Sequence, residues 1–304
     1  MDYKAIVWPE KYRPSVLEDV VLPEGDRNII INSIKDPKAI PNFMFYSSKA
    51  GTGKTSLAFV ISKILECDTK ILNASDDRGI DIIREQVKGF ASTLAFDRNI
   101  KRCIILNEAD GLTSAAQNTL RDVMEAYSNN VFFILTANKE DKVIDPIRSR
   151  CISINFNNPP KEEIYKRIKY ISKQEKLEIV EPDIENLVNI LYPDMRRMVL
   201  ALQKVSLGQK LEDLLGEESQ FINILNATKE GKYDWIIKEV KEERVNVMNF
   251  INWCFDFIVI SNLTFEKKGI ICKNLALMEK LINDNVDSKI VFLGYLTEIR
   301  KGLI

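Results

Sequence analysis

The chain has 304 residues, 45% of them hydrophobic and 29% charged, with a formal net charge of -1, an ordinary globular composition and enough length for two or three compact units of roughly 100–150 residues. No bulk basic excess announces nucleic acid, so any such site must be a local feature. The sequence shows no N-terminal signal pattern and no apolar run of membrane-spanning length, and with no histidine and five scattered cysteines (Cys67, Cys103, Cys151, Cys254, Cys272) it excludes a Cys/His zinc site and histidine acid–base catalysis. The cysteines suit a reduced intracellular compartment as small core residues, so the expected location is cytoplasmic. Any catalysis must come from carboxylates, lysine, arginine and bound metal.

Five short apolar runs read as buried strands: Phe43–Tyr46, Lys70–Asn73, Cys103–Leu106, Val131–Leu135 and Ile152–Phe156. Helical segments of about ten to fifteen residues separate them, and that alternation predicts an α/β unit with a parallel sheet between helices. The rhythm changes at Asn157-Asn-Pro-Pro160. Residues 161–176 and 183–207 read as helices, with Pro182 and Pro193 near helix starts, and Gly208 to Gly216 reads as a connection. Residues 217–304 again carry apolar positions three and four apart, as in Trp235–Val240 and Phe250–Phe255. The expected domains are therefore 1–156, an α/β unit; 157–210, a small all-helical unit; and 211–304, a further all-α unit.

Ser48-Lys-Ala-Gly-Thr-Gly-Lys-Thr55 lies between the first strand and a helix. This is the context of a phosphate-binding loop. Gly51 and Gly53 let the backbone aim its N–H groups inward, and the helix start adds partial positive charge. Residues Ala50, Gly51, Thr52, Gly53, Lys54, Thr55 and Ser56 are the expected ATP contacts, with Lys54 on the β- and γ-phosphates and Thr55 on Mg²⁺. The strict pattern has glycine where this chain has Ser48.

The run Cys103–Asp110 ends a buried strand in acid. Glu108 is the natural base for the attacking water. Asn107 stands where an aspartate would help hold the metal. Two unit charges ~4 Å apart interact by roughly 4 kcal/mol at an effective dielectric of ~20, so the missing charge weakens Mg²⁺ support. The amide still accepts a hydrogen bond from metal-bound water. ATP binding with slowed hydrolysis is the resulting expectation.

Taken in order, further motifs resemble the AAA+ clamp-loader small subunits, which include replication factor C small subunits and T-even-type phage counterparts. They are Trp8–Pro14, Asn73–Asp81, Ala116–Glu125, Thr136-Ala-Asn138, Ser149-Arg-Cys151 and Pro193–Arg197. They span residues 8–200, about two thirds of the chain. The resemblance makes 1–156 the AAA+ nucleotide-binding domain, 157–210 the helical lid and 211–304 the helical collar. The collar carries only helical texture, and the short N-terminus and collar lean towards the phage type, with a host cytoplasm as the location in that case.

The resemblance implies roles residue by residue. Glu10, Lys11, Tyr12 and Val21 fall in segments that line the adenine site. Asn138 would position the γ-phosphate and water, and Arg196 would close the lid over the nucleotide. Arg150 would be an arginine finger for a neighbouring subunit. Arg78, Gly79, Ile80, Arg84, Thr113 and Ser114, with Lys88 nearby, would meet DNA phosphates through helix starts and basic side chains, reading shape rather than sequence. Phe90–Phe96 would either face the clamp or pack in the core. Tyr127 and Gln117 would serve packing and coupling between subunits.

The implied function is an ATP- and Mg²⁺-dependent subunit of a hetero-pentameric loader, with other loader subunits, a sliding clamp and primer–template DNA as partners and no membrane. The alternative is a hydrolysis-weak structural subunit that lends Arg150 to its neighbour. A weaker third reading is another AAA+ DNA motor such as a branch-migration helicase, against which Asn73–Asp81 and Ser149–Cys151 argue.

Overall fold

The computed structural model describes residues 7–75, 79–93, 101–261 and 263–304. Its contacts divide the chain into two compact units, Met1–Gly208 and Gln209–Ile304.

The first unit is built on a five-stranded sheet: β1 Asn42–Tyr46, β2 Thr69–Asn73, β3 Arg102–Asn107, β4 Val131–Ala137 and β5 Cys151–Asn155. The strand order is β2-β3-β4-β1-β5, and every pairing is parallel. The two central strands explain themselves: every residue of β4, and all of β3 but Asn107, is buried. A parallel sheet covered on both faces selects such unbroken apolar runs. Within them, side chains alternate between two cores. Phe43, Phe45, Cys103, Ile105, Phe132 and Ile134 share one face. Met44, Ile104, Leu106, Phe133 and Leu135 share the other.

The helices of this unit are α1 Trp8–Lys11, α2 Glu24–Ser33, α3 Lys54–Ile64, α4 Lys88–Ser92, α5 Ser114–Ala126, α6 Asp145–Arg148, α7 Lys161–Gln174, α8 Glu181–Leu191 and α9 Met195–Ser206. Leu57, Ala58, Val60 and Ile61 of α3 cover the first face. Ala116, Leu120, Val123 and Met124 of α5 cover the second, beside Ile83 and Val87. Ile82–Val87 forms a π-helical turn ahead of α4, a wider winding that is uncommon and often found at working sites.

The expected helix at 183–207 is two helices. Pro193 sits between α8 and α9, where a residue without an N–H and with fixed φ interrupts the hydrogen-bond ladder. Asp194 then caps α9 by accepting the Arg197 N–H at 3.0 Å. In this unit α7, α8 and α9 pack together with the sheet-bearing part rather than forming a separate contact cluster.

The second unit is all-helical: α10 Leu211–Glu230, α11 Tyr233–Lys241, α12 Val247–Ile260, α13 Phe265–Asn283 and α14 Ser288–Leu303. The segment expected as a connection up to Gly216 is already helical from Leu211, but Gly216 breaks the helix with φ 49° and ψ -138°. Three rings anchor the core edge to face, Phe221 on Phe250 at 5.5 Å and Phe250 on Phe292 at 5.1 Å between centroids. Among the described residues no helix is long and apolar enough to cross a membrane.

Candidate nucleotide site

In a parallel sheet all strands end together, so the loops that follow them converge. β1 runs into the glycine loop. Gly51 (φ 67°) and Gly53 (φ 106°) take left-handed backbone there, which costs a residue with a Cβ about 1–2 kcal/mol. Gly53 is the residue before α3, so the first N–H groups of that helix face the end of the sheet. Lys54 is buried, and its ammonium donates to the carbonyls of Ser47 at 3.3 Å and Lys49 at 3.1 Å. Burial lowers its pKa, the charge of Asp110 opposes that shift, Arg196 adds to it and Glu108 opposes it. A buried cation beside the loop amides is poised for anionic phosphate.

β3 ends at Asn107. Its Oδ1 accepts from the Thr55 hydroxyl and the Thr136 hydroxyl, both at 3.3 Å. Thr136 also accepts the Glu108 N–H at 3.1 Å. Thr136 is buried, and in the sequence only its place beside Asn138 hinted at a role. Glu108 is exposed to the cavity in left-handed backbone, φ 56° and ψ 42°. A non-glycine residue there is uncommon and points to a functional constraint.

A cavity of about 410 Å³ unites these parts, within the range of small-molecule sites. Glu10, Tyr12, Val21, the loop from Ala50 to Ser56, Asn107, Glu108, Asn138 and Arg196 all line it. The structure therefore gathers most of the expected site from segments spread over nearly two hundred residues. Lys11 does not line the cavity; it pairs with Glu175 at the end of α7, as does the Tyr12 hydroxyl. Burial and that carboxylate push the Tyr12 phenol well above its ordinary pKa. Arg167 of α7 bonds Asp19 at 2.5 Å and the Tyr12 carbonyl at 3.3 Å. Arg167, Ile171 and Val199 also line the cavity, and sequence reasoning missed all three because an amphipathic helix carries no sign of which residues meet a distant loop.

The residues fit ATP and Mg²⁺. Thr55 and Asn107 present two neutral oxygens side by side, a donor set suited to a hard cation that keeps several waters and takes phosphate oxygens. The Thr52 hydroxyl is buried without a hydrogen-bond partner inside the loop, a polar group that a bound ligand could satisfy.

Arg150 lies elsewhere. It precedes β5, whose first residue pairs with Asn42 at the amino end of β1. The glycine loop follows the other end of β1, so about 13 Å of strand separates the two levels. Arg150 is exposed, is paired with Glu125 of α5, and donates to the Pro146 carbonyl at 2.6 Å.

Of the residues expected to meet DNA, Arg78 lies outside the described residues. Gly79 and Ile80 are half-buried where the next helical turn begins, and Arg84 is exposed on the π-helical turn with Lys88 beyond it. Thr113 caps α5, accepting the Ala116 N–H at 3.2 Å, and Ser114 is exposed in its first turn. Gln117 is buried, accepts the Ile144 N–H at 2.9 Å and donates to the Lys142 carbonyl at 2.9 Å. Phe90 and Tyr127 pack against the α5-side core, and Phe90 stacks under the Arg102 guanidinium at 3.5 Å; residues 94–96 lie outside the described residues.

Residues 44–158 match the ATPase family associated with various cellular activities (AAA). Replication factor C small subunit 1 of Pyrobaculum islandicum is 32% identical over an alignment covering 97% of this chain and 94% of that protein. The replication factor C small subunit of Haloarcula marismortui is 41% identical over 66% of this chain and 63% of its own length. Among solved structures, the Thermotoga maritima RuvB Holliday junction branch migration motor superposes with a TM-score of 0.56 at 14% identity, covering 79% of this chain and 84% of that one. That last likeness speaks for the fold alone.

Proposed function

Because the chain belongs to the replication factor C small-subunit family, we propose that it is an ATPase subunit of a DNA polymerase clamp loader, which opens a sliding clamp and places it on primer–template DNA. The observation that carries this reading is the single cavity that holds the glycine loop, Glu108, Asn138 and Arg196 together. No one of these groups is specific, but their convergence at the ends of β1, β3 and β4 and the start of α9 is the arrangement phosphoryl transfer needs.

The adenine lies on the side bounded by Glu10, Tyr12 and Val21. The loop N–H groups and Lys54 receive the phosphates. Thr55, and Asn107 through water, would hold Mg²⁺, and the ion would supply positive charge beside the phosphate oxygens. Glu108 takes a proton from a water aligned on the γ-phosphorus; the water oxygen bonds to phosphorus as the β–γ bridging bond breaks, leaving ADP and phosphate. Asn138 orients that water, and Arg196 of the lid meets the phosphates as the cavity closes. Arg150, a strand length away from its own cavity, serves the site of an adjoining subunit, so a complete catalytic centre takes two chains.

The DNA reading draws support from two helix starts. The helical turn after β2 and α5 after β3 follow neighbouring parallel strands, so both begin at the same edge of the sheet. Both bring a helix amino end there, whose partial positive charge suits a phosphate backbone. The test is hydrolysis by the purified chain with its partner subunits. ATP turnover is expected to rise about tenfold or more when clamp and primed DNA are added together, and to vanish in Lys54→Ala. Turnover indifferent to clamp and DNA would overturn the assignment.

A further inference from the structure

The turn after β3 carries a carboxylate that the chemistry above leaves unused. Asp110 accepts the Asn138 N–H through Oδ1 and the Lys139 N–H through Oδ2, each at 3.1 Å. The reason is topological. β3 and β4 stay in register up to Leu106 opposite Leu135, and Glu108 then turns the chain away in left-handed backbone. The N–H groups of Asn138 and Lys139 lie beyond the end of that ladder, where β3 offers no carbonyl. Asp110 supplies both acceptors from the first turn that leaves β3.

Two N–H groups received by the two oxygens of one carboxylate fix orientation as well as position. The backbone of Asn138 is held, and with it the direction from which its side chain enters the cavity. Glu108 precedes Asp110 by two residues and lines the same cavity as Asn138. The Thr136 hydroxyl ties the two strand ends together a second time, through the Glu108 N–H at 3.1 Å. We infer that Asp110 is a positioning residue for hydrolysis, holding Asn138 against Glu108 so that both face one water at the γ-phosphate. This rests on the reading of Asn138 as a water- and phosphate-orienting group.

Asparagine is the informative replacement. It keeps the shape but has one acceptor oxygen, and its NH₂ would face a backbone N–H, donor against donor. The experiment uses the assembled loader with clamp, primed DNA and ATP. Single-turnover hydrolysis and ATP affinity are measured for Asp110→Asn, Asn138→Ala and the double variant. Asp110→Asn is expected to slow hydrolysis about tenfold while leaving the ATP Kd within about twofold. In the Asn138→Ala background the same change is expected to cost less than about twofold, since its object is gone. Unchanged hydrolysis in Asp110→Asn overturns the inference. So does a parallel loss of ATP binding, which would make Asp110 a mere support of the fold. Multiplicative losses in the double variant overturn it while leaving Asn138 its role, whereas full activity in Asn138→Ala removes both.

Discussion

Asn107 differs by one group, an amide NH₂ in place of a carboxylate oxygen, from the residue its position calls for. Its Oδ1 already bridges Thr55 and Thr136, so an aspartate would enter the same contacts without repacking. What the amide withholds is a negative charge on the Mg²⁺ side of the phosphates. Screening by water and by the nearby Lys54 reduces the few kcal/mol of a close ion pair to about 1–2 kcal/mol at the transition state. Asn107→Asp is therefore expected to raise single-turnover hydrolysis in the assembled loader about 5- to 30-fold. ATP affinity at saturating Mg²⁺ is expected to change far less, because on the proposed reading the loop and Lys54 hold the phosphates. A rate equal to that of the parent chain would show that Asn107 is no handicap.

Gly51 shows how one residue serves two elements, and how much of each was legible. As a turn of the phosphate loop it is plain from sequence, because Gly-Thr-Gly-Lys between an apolar run and a helix has few other uses. Its second task is not. The Gly51 carbonyl accepts the Met195 N–H at 3.1 Å, and a Cβ on Gly51 would fall 1.9 Å from Asp194 Oδ1. The start of α9 thus rests on the glycine loop, which delivers Arg196 to the cavity. Gly51→Ala must strain a left-handed residue by about 1–2 kcal/mol and displace a cap of about 1 kcal/mol. For a unit of this size the melting temperature is expected to fall by about 4–12 °C, with ATP restoring less of it than in the parent chain, read by thermal denaturation with and without nucleotide. The strands were legible for a related reason: a sheet buried on both faces leaves unbroken apolar runs such as Val131–Leu135. The partners of Lys11 and Tyr12 were not, because Glu175 lies more than 160 residues away and a glutamate at a helix end looks like any other in the sequence. Where function is written in local geometry it shows in the sequence; where it depends on which faces meet, only the fold reveals it.

At the scale of the whole molecule, the proposed arginine finger implies that one chain holds an incomplete centre. The cavity sits at the carboxyl ends of the strands, and Arg150 sits at their amino ends, paired with Glu125. No rotamer of one arginine spans a strand of five residues and the loop beyond it, so Arg150 does not reach the cavity of its own chain, and the proposed finger role places it at a neighbour's. This makes a genetic style of test possible. Chains carrying Arg150→Ala keep an intact cavity and are expected to bind ATP as the parent does, yet to hydrolyse it about a thousandfold more slowly when every copy is altered, the low end of the usual effect of such an arginine. Chains carrying Lys54→Ala lose the cavity but keep the arginine. Mixing the two before assembly places some Arg150→Ala cavities beside an intact finger, and hydrolysis should reappear where neither variant alone shows it. Activity that stays absent across all mixing ratios, with assembly intact by size-exclusion chromatography, would assign Arg150 to its own chain's fold instead. The ion pair to Glu125 adds a condition: the side chain must leave that carboxylate to reach across a subunit boundary. Recovery should therefore be greater when the finger-donating chain also carries Glu125→Gln, since an exposed pair of this kind holds by only about 0–1 kcal/mol and the neutral amide lowers even that barrier.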